Sequence, residues 1–253
     1  ILIKRNIKLF FKDKGMFFTS LITPAILLVL YVTFLSNIYR DSFLAGFPAG
    51  MPVPEDVIDG LVATQLISSM LAVSCVTVAF CSNFLMVQDR VTGAVRDLRI
   101  SPVKPSALSL SYYVATLVST LLICYAATAI CLIYVAVAGW YLSVADVFRL
   151  LLDVLLLVLF GTALSSVVNF FLSTQGQISA VGAIVSAGYG FVCGAYMPIS
   201  SFGEGLQTAI GFLPGTYGTS LIRNHAMQGA FAELGAQGLP TEAVEALRDA
   251  VDC

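Results

Sequence analysis

Five long apolar runs, at residues 16–36, 61–87, 107–138, 147–172 and 177–197, constrain this chain more than anything else in it. Each can cross a hydrocarbon core of about 30 Å as a helix, which takes roughly 20 residues. Within hydrocarbon an unpaired backbone amide or carbonyl costs several kcal/mol, so a crossing segment must close its own hydrogen bonds. The runs also lack the alternation of barrel strands. The sequence therefore predicts an all-α integral membrane protein, a polytopic bundle of five spans. Composition agrees: 58% of the 253 residues are hydrophobic and 11% charged, against about 25% charged in soluble domains. The net charge of −2 says little about partners, because the charges are segregated along the chain.

That segregation predicts an orientation. Lys4, Arg5, Lys8, Lys12 and Lys14 precede the first run, and Arg90, Arg96, Arg99 and Lys104 lie between the second and third. If five spans alternate, all of these fall on one side, which the positive-inside tendency makes cytoplasmic. Between the first two runs, Arg40 stands among Asp41, Glu55, Asp56 and Asp59, which suits an outer loop. Residues 1–15 set Leu2, Ile3, Ile7, Phe10 and Phe11 opposite the basic residues, the pattern of an amphipathic helix on the inner membrane surface. The organisation expected is an interfacial helix over 1–15, a transmembrane unit over 16–230 and an acidic outer segment over 231–253. That last segment holds a capped helix from Thr241. Within the transmembrane unit, residues 198–222 are broken by Pro198, Pro214 and several glycines. They read as two short re-entrant helices meeting near Pro214, dipping into the outer leaflet with Tyr217 just beyond.

Catalytic constellations are nearly absent. No Gly-x-x-x-x-Gly-Lys run is present to cradle a phosphate, so the chain is expected to be no enzyme and to hydrolyse no nucleotide itself. Five of the six cysteines sit in apolar runs without metal-ligand spacing and read as small apolar side chains. His225 reads as an ordinary outer-face side chain, and no nucleic-acid partner is implied. Asp153 is the one acid well inside a run. Arg149 stands one turn before it, so an i,i+4 ion pair is preferred over a proton relay. Asn83, Asn169 and Gln177 are candidates to line a substrate path, although hydrogen bonding between helices is the commoner use of such residues. Small residues at Gly182, Ala183, Ser186, Ala187, Gly190 and Gly194 read as helix packing or a dimer seam.

A charged island at 89–103, within a segment 88–106 between the second and third runs, asks for a specific reader. Gly93 permits a bend, a short helix follows with Val95 and Leu98 on one side and Arg96 and Arg99 exposed, and Ser101-Pro102 stops it. A merely topogenic loop needs only the basic residues. The glycine, the alternation of Asp89 and Asp97 with arginine, and the proline stop favour a shaped docking element.

Asp89-Arg90 with Gly93, Leu98 and Ser101-Pro102 resembles the segment between the second and third spans of ABC-2-type permeases, the membrane subunits of ATP-driven exporters. Gly194-Ala-Tyr-Met-Pro-Ile, then Leu213-Pro-Gly-Thr-Tyr217 and Leu221-Ile-Arg223, resembles that family's signature after the fifth span. The resemblance implies that the island is a coupling helix in a cleft of a cytoplasmic ABC ATPase subunit. Asp89, Arg90, Arg96, Asp97 and Arg99 would make its polar contacts, Val95, Leu98 and Ile100 its apolar seat, and Ser101-Pro102 its end. It also implies a second permease copy or relative, Mg-ATP bound by the partner and no cofactor on this chain. A bacterial plasma membrane and a sixth span beyond Cys253 are implied as well. The function expected is export of a hydrophobic or amphipathic substrate such as a drug, peptide or lipid-like compound. The alternatives are a permease for a cell-surface polysaccharide and a membrane sensor or scaffold.

Overall fold

The computed structural model describes residues 1–46, 55–100, 103–196, 202–236 and 248. Among them the regular structure is helical throughout: α1 (Leu2–Lys12), α2 (Lys14–Leu30), a π-helical turn at Tyr31–Leu35 continuing into α3 (Ser36–Gly46), α4 (Glu55–Val91), α5 (Ala94–Ile100), α6 (Pro105–Ala138), α7 (Val144–Phe170), α8 (Gln175–Val192), α9 (Glu204–Gly211) and α10 (Pro214–Ala236). Four helical segments are long and apolar enough to cross a membrane: Lys14–Asp41, Glu55–Val91, Pro105–Ala138 and Val144–Phe170. They coincide with the first four predicted spans. The fifth differs. α8 has 18 residues, rising about 27 Å, and stops at Cys193–Gly194, where Gly194 takes φ 71°. Only glycine enters that left-handed region freely, which makes it the usual residue for ending a helix.

α4 is the axis of the bundle. It rises about 55 Å over its 37 residues, is buried on almost every side, and is packed by α2, α6, α7, α8 and α10. Several of its hydroxyls suit that burial by bonding back to their own helix, Thr64 to Gly60 O (2.9 Å), Ser68 to Gln65 O (2.8 Å) and Thr77 to Val73 O (3.0 Å). α7 approaches closely at Gly161, where an added Cβ would stand 3.1 Å from Val76 Cα. Facing the bilayer, α2, α6 and α7 expose Phe18, Val29, Ile133, Leu156 and Val167, as lipid-facing helices should.

The lysines gather with Arg5, Arg90 and Arg96 at one end, the basic end, where α1, α5, the start of α6 and the end of α7 meet. At the opposite end, the two re-entrant helices predicted around Pro214 are unequal. α9 is short, but α10 has 23 residues. Pro214 opens α10 at its first position, where the missing N–H costs nothing, so it starts a helix where a break was expected. α10 then runs antiparallel to α7: Gly215 lies against Phe160 and Tyr189, Gly218 against Leu157 and Gly229 against the Tyr141 backbone. Phe160 stands 16 residues from Val144, so α10 starts about 24 Å along α7 and climbs back to its far end. Phe231 and Leu234 are buried, so α10 continues across the predicted boundary at 230/231. Pro198 and the predicted helix from Thr241 lie outside the described residues.

Candidate functional site: the elbow at the basic end

The last turn of α4 carries two neighbouring side chains that point in different directions, and each fastens another part of the bundle. Asp89 is buried at 7% exposure. Its Oδ2 accepts from Arg5 Nη1 (2.8 Å) and from the Tyr112 hydroxyl (2.6 Å), tying α4 to α1 and α6. Arg5 also donates to Asn6 Oδ1 (2.9 Å), and Asn6 donates to Ser111 Oγ (3.4 Å), which doubles the seam between α1 and α6. The hydrogen bond to Asp89 is the largest of the influences that raise Arg5 above the ordinary guanidinium range. Arg90 turns the other way. Its Nη1 donates to Phe170 O (2.7 Å) and Leu172 O (3.2 Å), satisfying carbonyls left open at the end of α7, and its guanidinium stands 5.4 Å from the Phe170 ring centroid.

The chain then turns. Gly93 sits at φ 84°, with nothing within 4 Å of the position a Cβ would take. Its requirement is therefore conformational. α5 follows, with Val95 and Leu98 packed on Leu85, Leu108 and Tyr112 beside Leu2 and Leu9. Arg96 and Asp97 are exposed, and Ile100 is 84% exposed. The expected docking residues thus divide by role. Asp89 and Arg90 are engaged within the chain, and Val95 and Leu98 rest on the bundle's own apolar cluster, whereas Arg96, Asp97 and Ile100 face outward. The Arg99 side chain and Ser101-Pro102 lie outside the described residues.

Beside the elbow opens a cleft between α2 and α8, floored by α4. Its basic-end half encloses about 640 Å³ between Asp13, Thr19, Gln88 and Gln175. Through Thr23, Ala183 and Ser186 it meets a second half of about 620 Å³, lined by Ile26, Leu30, Phe191 and Tyr196. The three residues expected to line a path line neither half. Asn83 is buried against α7, donating to Ser165 Oγ (3.1 Å) and Ser166 Oγ (3.0 Å). Asn169 is fully buried, and its amide has no hydrogen-bond partner among the described residues. Gln177 closes a capping box with Thr174 at the start of α8. Thr19 and Thr23, one turn apart, are the polar stripe that sequence reasoning passed over, whereas Ala183 and Ser186, read as helix packing or a dimer seam, line the opposite wall beside Ser179.

At the far end, two sequence expectations are corrected. Arg149 pairs with Asp146 (3.1 Å) and reaches Gln228 Oε1 (3.3 Å), not Asp153. Asp146 already closes the capping box with Ser143, which holds it within the arginine's reach. Asp153, 5% exposed, instead meets His225 of α10, with Nδ1 and Oδ2 2.5 Å apart. His225 therefore has a carboxylate partner, because α10 runs along α7 and does not lie on the outer face. Two residues closer to Pro214, Arg223 is buried and donates to Gly194 O (2.9 Å) and Ser69 Oγ (3.3 Å). A cation thereby caps a helix that ends inside the bundle. Pro214 and Tyr217 are exposed on the bundle's flank, Tyr217 at 62%.

A polytopic helical bundle whose polar side chains serve helix junctions and an intramembrane cleft is built for passage and transmission. Residues 1–226 match the model of the ABC-2 type transporter family, and the chain belongs to that family. It is accordingly a multi-pass membrane permease component of an ABC transporter, and permeases of this family work with ABC ATPase partners. No curated protein and no solved structure matches the chain.

Proposed function

We propose that this permease exports a hydrophobic or amphipathic compound, driven by a separate ATPase subunit that grips α5. The observation that carries the reading is the division of roles at the elbow: Val95 and Leu98 seat α5 on α1, α4 and α6, and Asp89 and Arg90 fasten the end of α4 just before it to α1, α6 and α7, while Arg96, Asp97 and Ile100 are left outward. A push on the outward face then reaches four helices together, and a packed bundle passes it on as a rigid-body shift. The basic end is the cytoplasmic end in this reading, by its lysines and arginines. ATP binding in the partner, with its Mg²⁺, supplies the free energy through its different affinity for the two access states.

The α2/α8 cleft is the substrate path, completed by a second permease subunit. Its two halves fit an amphipathic molecule: hydroxyl and amide groups at the basic end, apolar side chains beyond. An entrance for a polysaccharide would favour aromatic stacking, and among the lining residues at the basic end only Phe84 is aromatic.

Purification from native membranes is expected to bring down an ABC ATPase whose turnover the permease stimulates. The Arg96→Glu/Asp97→Arg double change should abolish that stimulation while the bundle stays folded. Unchanged assembly and transport in the double variant would overturn the coupling role. Uptake into inside-out vesicles, dependent on ATP added outside, tests the direction.

A further inference from the structure

A second groove lies on the other side of α2, between α2 and α6. Both helices lean on α4 and hardly on each other. The gap encloses about 510 Å³ over Met70 of α4, with Phe17 and Pro24 on one wall and Ala126 and Ala127 on the other. All its lining residues are apolar. From Phe17 to Leu28 the groove follows α2 for about 17 Å, close to the ~15 Å depth of one leaflet's hydrocarbon. Its mouth at the basic end is Phe11 of α1.

α1 is built to meet a lipid there. At 100° per residue, Asn6 and Phe10 face the bundle, and both are about 1% exposed. Ile3, Ile7 and Phe11 form a neighbouring apolar stripe, with Ile3 and Phe11 each 38% exposed. Lys4, Lys8 and Lys12 form a third stripe, exposed and running beside Phe11. Arg5 is drawn inward to Asp89, so this stripe owes nothing to the elbow. Asp13, the nearest acid, is occupied in capping α2 through Met16 N (3.1 Å).

We propose that this groove is a binding site for one anionic phospholipid, its acyl chain between α2 and α6 and its phosphate on Lys8 and Lys12. A dry groove one leaflet deep, opening beneath an exposed lysine stripe, complements such a lipid in both shape and charge. A second protein copy would have no use for the lysines at its mouth. The lipid fills the space that α2 and α6 leave open and joins α1 to both.

Native mass spectrometry of the full chain, purified with its partner subunits, tests the site with phosphatidylglycerol and phosphatidylcholine of equal chain length. Phosphatidylglycerol should be retained in preference. Lys8→Glu/Lys12→Glu should cut its retention about tenfold or more while leaving phosphatidylcholine unchanged. Ala126→Phe, which fills the groove, should lower retention of both. As a readout on the unmodified protein, phosphatidylglycerol should raise the thermal midpoint more than phosphatidylcholine does. Equal retention and equal stabilisation by the two lipids would overturn the proposal. So would a disulfide between copies carrying Ala127→Cys, which would make the groove a protein interface.

Discussion

Asp89 at the basic end and Asp153 at the far end are both buried carboxylates, and the two are held differently. At the basic end Asp89 is met by a guanidinium and a phenol on two other helices, so one acid ties α1, α4 and α6. At the far end Asp153 is met, among the described residues, by the one titratable side chain of His225, tying α7 to α10. Arginine keeps its charge at every working pH, and an imidazole does not. The basic end is therefore fastened through a guanidinium that keeps its charge. The far end is fastened by an imidazole–carboxylate contact from α10, the helix that runs from deep in the bundle back to the far end.

Breaking the basic-end tie should have the largest effect. Asp89→Ala strands Arg5 and the Tyr112 hydroxyl at once. Because Arg5 is about a third exposed, the loss should fall somewhat below the full value for a broken buried pair, at about 2–4 kcal/mol. A lowered thermal midpoint, with α1 newly open to protease, is the expected result; an unchanged midpoint would mean that packing of Phe10 and Leu9 alone holds α1. Folding raises the Arg5 pKa, and a raised group contributes stability that is complete below its unfolded pKa and lost only as pH climbs through the folded value. Arg5 should therefore not titrate out of the tie as pH rises toward the guanidinium range.

The far-end tie sharpens the comparison. Asp153→Ala removes the acceptor from His225 but touches one helix pair, so about 1–3 kcal/mol is expected. Paired with His225→Ala in a double-mutant cycle, it should show a coupling of about 1 kcal/mol or more. If the contact gates the far end, the pH profile of transport should flatten in Asp153→Asn, whereas Asp89 variants should lower transport without changing its shape. A profile of unchanged shape in Asp153→Asn would reduce the pair to a structural contact.

The contrast also marks how far sequence reasoning reached. Spans were legible because a run such as 107–138 has one reading in a bilayer: hydrocarbon removes every alternative to closed backbone hydrogen bonds. The bend at Gly93 and the short helix after it were legible for a similar reason, since few residues but glycine take its φ. Partners were not. Asp89 and Arg90 read as groups awaiting another protein because their acceptors and donors lie at Arg5, Tyr112 and Phe170, far away in the chain. Pro214 read as a break because a helix-starting proline and a helix-breaking one look alike until the residues after it are seen to pack. The cleft went unread because Thr19 and Thr23 look like tolerated hydroxyls in an apolar run.

The smallest predicted effect discriminates most sharply between the sequence pattern and the fold. Helical spacing favours Arg149–Asp153 as an i,i+4 pair, yet Arg149 is 48% exposed at its side chain and bonded to Asp146 one turn earlier. Half-exposed ion pairs contribute about 0–1 kcal/mol, so Arg149→Ala should cost no more than that. What matters is the coupling. A double-mutant cycle between Arg149 and Asp153 should give a value near zero, because the two share neither hydrogen bond nor partner, while the Asp153–His225 cycle gives a clear one. Equal couplings in the two cycles would mean that the carboxylate divides itself between its own helix and α10. The far end would then be held by two contacts, one of them permanent, and would lose its contrast with the elbow.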